Sequence, residues 1–448
     1  MGKCVRILLV AYEFPPGHSP RALRWRYLVR ELVLLGHEVH VLAPDIGELG
    51  VAFPSAPGIV HFHRVFAGPM AALVSRLAGK SRRKHGDQAP GSREAPMEAA
   101  PRLNWKGRLV GWLKACVGAV LFPDARAEWT PWATAALKRL LVSLPPDVVV
   151  TSHEPASTLP LGRLARRLGF PWVADLGDPI CAPYTPRRWR GRARALEVAV
   201  TAEADLVLVP NDAARDLLTA RYSLAPGRCA VLSQGYDDRR SPMQTGTPSA
   251  TVVPGQLELL YTGRLYPFRD PTNLIHVLGA SHGVRLTLVL GDPPPQGALD
   301  SNDLQGKLRI LGPLPHEQVL ALQDQADVLV SLGNRGMPSQ VPGKLFEYLG
   351  VRKPILHIHA GADDAATPIL DGAGRGWSCP DNASAIATVL DRLREQKSAG
   401  QLMAGLQLSP VPAYALSVLG QRLSDLLTEI ADRAADGHVR PPAGDPDS

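Results

Sequence analysis

Short apolar runs alternate with longer amphipathic ones along most of this chain. Val5-Arg6-Ile7-Leu8-Leu9-Val10-Ala11 is compact and apolar, reads as a buried strand, and ends in Glu13-Phe14-Pro15-Pro16. A Pro/Gly loop follows, then helical spacing from about Pro20 to Leu35. Gly36-His37-Glu38 closes that helix, and Val39-His40-Val41-Leu42 resumes as a strand. Strand, loop, helix and strand make a βαβ opening. Asp147-Val148-Val149-Val150, Trp172-Val173-Ala174 and Leu206-Val207-Leu208-Val209 repeat the alternation, each followed by turn residues or a helix pattern. Such a series predicts a parallel, doubly wound sheet over the first half. A second series begins at Leu257-Glu258-Leu259-Leu260-Tyr261. It continues through 286–290, Arg309-Ile310-Leu311, Val328-Leu329-Val330 and Ile355-Leu356-His357. The fold class is therefore α/β, with two Rossmann-like doubly wound domains expected to face a cleft.

Breaks in the pattern suggest boundaries. Residues 1–237 form the N-terminal domain, with a polar insertion at about 80–102 that lacks apolar periodicity and reads as mobile. Residues 238–256 are the expected linker, 257–411 the C-terminal domain, 412–434 a terminal helix, and 435–448 a Pro-containing disordered tail. The length of 448 residues agrees, being too long for one ordinary core.

Composition adds little until its placement is known. Hydrophobic residues make up 45%, as expected of a globular chain. The net charge of +7 is a modest excess that suits an anionic ligand or a membrane surface. Five cysteines, Cys4, Cys116, Cys181, Cys229 and Cys379, include no CxxC pair, so their spacing encodes neither a zinc site nor a disulfide framework. A reducing cytoplasm is the expected compartment. The first apolar run is short and lacks a small-residue cleavage site, unlike a signal peptide. No run approaches the roughly 18 apolar residues that span a bilayer.

Chemistry concentrates in the second half. Gly336-Met337-Pro338-Ser339-Gln340-Val341-Pro342-Gly343-Lys344-Leu345-Phe346-Glu347-Tyr348-Leu349 writes a loop and a helix start around one acidic residue. Pro342 suits a first helical turn, whose free amides favour an anionic group. Glu347, about one turn on, could accept hydrogen bonds from a ribose or sugar hydroxyl. Lys344 and Glu347 could equally be an ordinary surface pair at i, i+3. Gly263-Arg264-Leu265-Tyr266-Pro267-Phe268-Arg269 directly follows a strand, where ligand loops of α/β sheets lie, and brings two fixed cations.

These stretches resemble the nucleotide-sugar site of family 4 glycosyltransferases of the GT-B fold, whose members often read Pro-Ser-Lys-x-x-Glu-Tyr and Gly-Arg-Leu-x-x-x-Lys there. Arg264 matches and Arg269 replaces the Lys, keeping the charge. Many members carry a second Glu eight residues before the one matching Glu347, where this chain has Ser339. The resemblance implies that Arg264 and Arg269 stabilise the leaving diphosphate, and that Gly17, Gly263, Gly336, Ser339, Gln340 and Lys344 bind the donor.

In the first half, Asp147-Val148-Val149-Val150-Thr151-Ser152-His153-Glu154-Pro155 puts a histidine at a strand tip, matching the family's strand-end His that faces the donor sugar. Phe14-Pro15-Pro16-Gly17-His18-Ser19 corresponds to the family's loop on the diphosphate and acceptor. Gly17 permits close backbone approach, and His18 stands where the family often has a second glycine. Asp175-Leu176-Gly177-Asp178-Pro179 is similar to the Asp-x-Arg-Asp stretch of envelope-polysaccharide members, with Gly177 in place of Arg. There Asp178 is an acceptor-side candidate, or a turn cap. Gln234-Gly235-Tyr236-Asp237 reads as a structural turn.

Two basic stretches bear on partners. A helical face of Trp105, Leu109, Trp112, Leu113, Cys116 and Val120, flanked by lysines and arginines, is either interfacial or core. Arg187, Arg188, Arg190, Arg192 and Arg194 around Trp189 suit an anionic lipid or a diphosphate-linked acceptor. No nucleic-acid motif is present.

By this resemblance the chain is a retaining glycosyltransferase of the bacterial envelope or exopolysaccharide type. It would use a nucleotide-sugar donor, a lipid-linked or glycan acceptor, no cofactor and no metal, and work in the cytoplasm or at the inner membrane face. A nucleotide-sugar 2-epimerase and a non-catalytic nucleotide-sugar-binding partner are the alternatives. A dehydrogenase is disfavoured because the first βα turn lacks G-x-G-x-x-G.

Overall fold

The computed structural model describes residues 3–17, 19–47, 51–54, 56–72, 122–183, 185–239, 255–291, 304 and 306–437. The insertion at 80–102, the helical face at 105–121, most of the linker at 238–256 and all but the start of the tail at 435–448 lie outside them. The chain divides into two compact units, Met1–Leu232 with Gly420–Ser448, and Ser233–Leu419.

The first unit holds β1 (Arg6–Val10), α1 (Pro20–Leu34), β2 (Glu38–Asp45), β3 (Ile59–Phe66), α2 (Thr130–Ser143), β4 (Val148–Ser152), α3 (Leu159–Arg167), β5 (Trp172–Asp175), α4 (Arg190–Glu203), β6 (Leu206–Val209), α5 (Asp212–Tyr222) and β7 (Cys229–Val231). Its strands pair in parallel in the order β3-β2-β1-β4-β5-β6-β7. The central strands are apolar on both faces because helices cover both, and β4 is buried throughout.

Helix α1 shows why the chain folds as it does. Ser19 caps it, its Oγ accepting from the Ala22 amide at 3.1 Å, and Pro20 opens the first turn, where a missing N–H costs nothing. Ala22, Trp25, Leu28, Val29, Leu32 and Val33 form its buried stripe, each large side chain contributing about 1.5–3 kcal/mol relative to exposure. Gly36 ends the helix at φ +95°, a conformation that costs a side-chain-bearing residue about 1–2 kcal/mol.

The second unit holds β8 (Leu257–Gly263), α6 (Thr272–Ala280), β9 (Val284–Leu290), β10 (Leu308–Leu311), α7 (His316–Gln325), β11 (Val328–Leu332), α8 (Gly343–Tyr348), β12 (Ile355–His359), α9 (Ala366–Gly372), β13 (Gly376–Pro380) and α10 (Ala383–Ser398). Its parallel sheet has the order β10-β9-β8-β11-β12-β13. The two doubly wound sheets are those the sequence predicts. Three strands absent from the sequence reading, β3, β7 and β13, complete them.

The last helix, α11 (Leu416–Ala435), starts four residues later than expected, after a single 3-10 turn at Pro412–Tyr414. Asp238 caps it by accepting from the Ser417 amide at 3.0 Å. From Gly420 onward it belongs to the first unit. There a Cβ at Gly420 would lie 2.3 Å from Glu31 Cβ, and Ser424 Oγ meets His37 Nε2 at 2.7 Å. Among the described residues no helix is long and apolar enough to cross a membrane.

Candidate functional site

In the second unit the loop after β8 is built around two arginines. Gly263 ends the strand at φ +153°, and Arg264 is exposed. Its stem lies over Gly291 at the end of β9, where a Cβ would sit 3.4 Å from Arg264 Cγ and Nε. Tyr266 and Arg269 close a tight turn, the Arg269 amide donating to the Tyr266 carbonyl at 2.8 Å. Tyr266 stacks on Phe268 with centroids 5.0 Å apart, and the Arg269 guanidinium lies 5.5 Å from the Tyr266 ring.

Arg269 Nε donates to Asn334 Oδ1 at 2.9 Å, and Asn334 Nδ2 donates to Gln340 Oε1 at 3.1 Å. The Arg335 amide donates to the Phe268 carbonyl at 2.8 Å. The loops after β8 and β11 are thus one hydrogen-bonded structure, joining Arg269 to Gln340. Gly336 turns the second loop at φ +73°, beside the half-buried Ser339. The Pro338 carbonyl accepts from the Ala365 amide at 2.9 Å. The neighbouring Asp364 is fixed by the buried His357, whose Nε2 lies 2.9 Å from its Oδ1.

Helix α8 has only six residues, and Pro342 stands at its N-cap rather than inside the first turn as the sequence suggests. Glu347 is engaged on its own unit. Lys344 Nζ lies 3.0 and 2.8 Å from its two oxygens, and Gln323 Nε2 donates to Oε1 at 2.7 Å. Burial would raise this carboxyl's pKa, but the Lys344 charge and hydrogen bond, with Gln323, outweigh it and hold the group below its ordinary range. The i, i+3 pair is therefore formed, and the Glu347 side chain keeps 22% exposure. Next to it, the buried Tyr348 hydroxyl takes the Thr262 amide at 3.0 Å and meets Thr262 Oγ1 at 2.9 Å. That bond anchors α8 to the end of β8, one residue before Gly263.

The first unit has a second cluster, at the carboxyl ends of β4 and β5. His153 is 5% exposed, its amide donates to the Asp175 carbonyl at 2.8 Å, and its Nδ1 has no hydrogen-bond partner. Burial pushes its pKa down to about 4, so the ring is neutral at physiological pH. Asp178, partly exposed, offers His153 a backbone hydrogen bond. Gly17 closes a turn by donating its amide to the Phe14 carbonyl at 3.0 Å. His18 lies outside the described residues.

Sequence reasoning missed the charged centre of this cluster. Asp175 Oδ2 accepts from Arg24 Nη1 at 2.7 Å, Trp25 Nε1 at 3.1 Å and Arg21 Nη1 at 3.2 Å, all buried. Arg21 Nη2 is buried with no partner. It fills the space above Gly177, where a Cβ would lie only 1.9 Å from it. The signal was legible: Arg21, Arg24 and Trp25 stand at i, i+3 and i+4, and Arg21 falls on the apolar stripe of α1. The arginines around Trp189 are all exposed, with Arg188 and Arg192 at 5.7 and 5.2 Å from its ring.

Comparison with known proteins adds to this geometry. The profile of glycosyltransferase family 4 matches residues 89–240, about a third of the chain. No curated protein matches. Among solved structures, sucrose-phosphate synthase from Thermosynechococcus elongatus is similar with a TM-score of 0.59 at 14% identity, over 97% of this chain and 98% of that one. The UDP-forming α,α-trehalose-phosphate synthase from Burkholderia xenovorans gives 0.57 at 13% identity, over 94% and 100%. The UDP-GlcNAc 2-epimerase from Methanocaldococcus jannaschii gives 0.53 at 11% identity, over 95% and 99%. At such identities the likeness establishes the fold, which is GT-B. Residues 89–240 thus match the glycosyltransferase family 4 profile, within a chain whose fold is GT-B.

Proposed function

We propose that this chain is a retaining glycosyltransferase that moves a sugar from a nucleoside diphosphate to an acceptor hydroxyl. The second unit takes the donor. The observation that carries this reading is the joined pair of loops holding Arg269 and Gln340, beside the exposed Arg264 on Gly291. Departure of the nucleoside diphosphate places negative charge on the bridging oxygen. Two guanidiniums held beforehand would stabilise that charge most in the transition state. Gly263, Gly336, Ser339 and Lys344 line the donor, and Glu347, whose side chain is partly exposed, addresses its hydroxyls.

The first unit takes the acceptor. His153, neutral and with Nδ1 unused, is suited to a sugar hydroxyl. Arg21 supplies from α1 the guanidinium that the sequence lacks at Gly177, and its unpartnered Nη2 suits a phosphate oxygen. His18 and Asp178 complete the acceptor side, and Gly17 serves the donor diphosphate. A lipid-linked glycan precursor of envelope polysaccharide, met at the inner membrane face, fits these groups and the exposed arginines around Trp189. A 2-epimerase is the second reading, favoured by the likeness to the epimerase fold.

The test is a thermal-shift screen of UDP, GDP, ADP, dTDP and their common sugars, since a ligand specific to the native state raises Tm. One nucleotide is expected to raise Tm in the native chain and not in Arg264→Ala. Arg264→Ala and Glu347→Ala should each lose at least about 100-fold in transfer while remaining folded. No shift with any nucleotide, or unchanged turnover in both variants, sinks the assignment. Deuterium entering C2 of the sugar without acceptor would select the epimerase.

A further inference from the structure

Strands β2 and β3 bring four chemically active side chains to one sheet face. Their register pairs His40 with His61 and Leu42 with His63, and the two-residue period of a strand puts Glu38, His40, His61 and His63 on the same side. The His40 ring stacks on His61 at 4.8 Å and on His63 at 5.2 Å between centroids. Glu38, His40 and His61 lie in the first halves of their strands and His63 just past the middle of β3, whereas His153 and Asp175 sit at the carboxyl ends of β4 and β5. It is a separate place in the unit.

The contacts form an ordered set. His40 Nε2 lies 2.9 Å from Glu38 Oε1, and His40 Nδ1 lies 3.0 Å from His63 Nε2. Glu38 Oε2 accepts from Arg6 Nε at 2.9 Å, which fixes the carboxylate plane. One ligand atom each from Glu38, His40 and His61 falls within a span of 4.8 Å. A tetrahedral shell with bonds of about 2.0–2.1 Å separates its donors by about 3.3 Å, a gap that side-chain rotation at the half-exposed His61 closes.

We propose that Glu38, His40 and His61 bind one borderline divalent transition-metal ion, with His63 orienting His40 through its second ring nitrogen. Two imidazoles and one carboxylate select Zn²⁺, Ni²⁺ or Cu²⁺ over Mg²⁺ or Ca²⁺. His40 then donates Nδ1–H to His63 and turns Nε2 to the ion, the arrangement that sets the tautomer in histidine metal sites. The bound ion would tie edge strand β3 to β2. Cysteine spacing says nothing of such a site, because its ligands are two imidazoles and a carboxylate that meet only through strand register.

The experiment uses the full chain, free of any histidine tag and stripped by chelator, titrated with Zn²⁺ by calorimetry and with Co²⁺ by visible absorption. One equivalent should bind, with tetrahedral Co²⁺ bands and a chelator-reversible rise in Tm. His61→Ala, at a half-exposed position, should lose stoichiometric binding while its circular dichroism is unchanged. His63→Ala should weaken affinity about 10- to 100-fold. Absence of binding, equal binding by His61→Ala, or a thiolate charge-transfer band in the Co²⁺ spectrum would each overturn the proposal.

Discussion

The two units present opposite electrostatic designs on the same doubly wound scaffold. In the first, the charged cluster is inside: Arg21, Arg24 and Asp175 are each less than 10% exposed, and His153 beside them is neutral. In the second, Arg264 is exposed, and Arg269 is held at the surface by an amide, an aromatic ring and a tight turn. The first cluster is bound up with folding, since two buried guanidiniums need their carboxylate. The second can lose a side chain without losing its fold, because its loops are tied mostly by backbone bonds. A charge set built into a core is costly to change, and one set on a rigid loop is available to a ligand.

Substituting Asp175→Asn attacks the first design directly. It leaves two buried cations without a counter-charge and should cost about 3–5 kcal/mol in urea unfolding. A loss below about 1 kcal/mol would mean that the two units do not differ in this way.

Acid provides the next test. His153 titrates near 4 in the fold and near 6.5 in an unfolded chain, so the unfolded state binds more protons between those values. Its contribution is present above about pH 6.5 and is lost as pH falls through 4, amounting to about 3 kcal/mol. His153→Gln should flatten the stability profile over that window relative to the parent chain. Parallel profiles would count against a neutral buried ring.

The smallest effect belongs to the second unit. Tyr348→Phe removes the buried acceptor of the Thr262 amide and should cost about 1–2 kcal/mol. If that bond also sets α8 against the β8 loop, the variant's nucleotide affinity falls more than its stability. Equal nucleotide affinity would leave Tyr348 as a purely structural anchor.

How much was readable depended on where the information sits. The central strands were legible because burial on both faces makes them continuous apolar runs, as in Val148-Val149-Val150. Strand β3 was not, because Ile59-Val60-His61-Phe62-His63-Arg64 alternates apolar with basic residues at the sheet edge. Strand β13 mixes glycine, serine and proline with Trp377, and β7 is three residues long. Arg264 and Arg269 could be picked out because they share one short loop after a strand, and Glu347 because it follows a loop and a helix start within one short stretch. Arg21 and Asp175 are 154 residues apart, and only the fold brings them together. Pairing of Glu347 with Gln323 was likewise unavailable to spacing.

Helix α11 has a consequence for synthesis. The first unit is discontinuous, because Gly420 and Ser424 pack on Glu31 and His37 from the far end of the chain. On a ribosome adding about 5–20 residues per second, those N-terminal partners wait on the order of 10–40 s after residue 232 emerges. A nascent chain would hold that face of α1 uncovered for the whole interval, while the second unit, continuous in sequence, can close first.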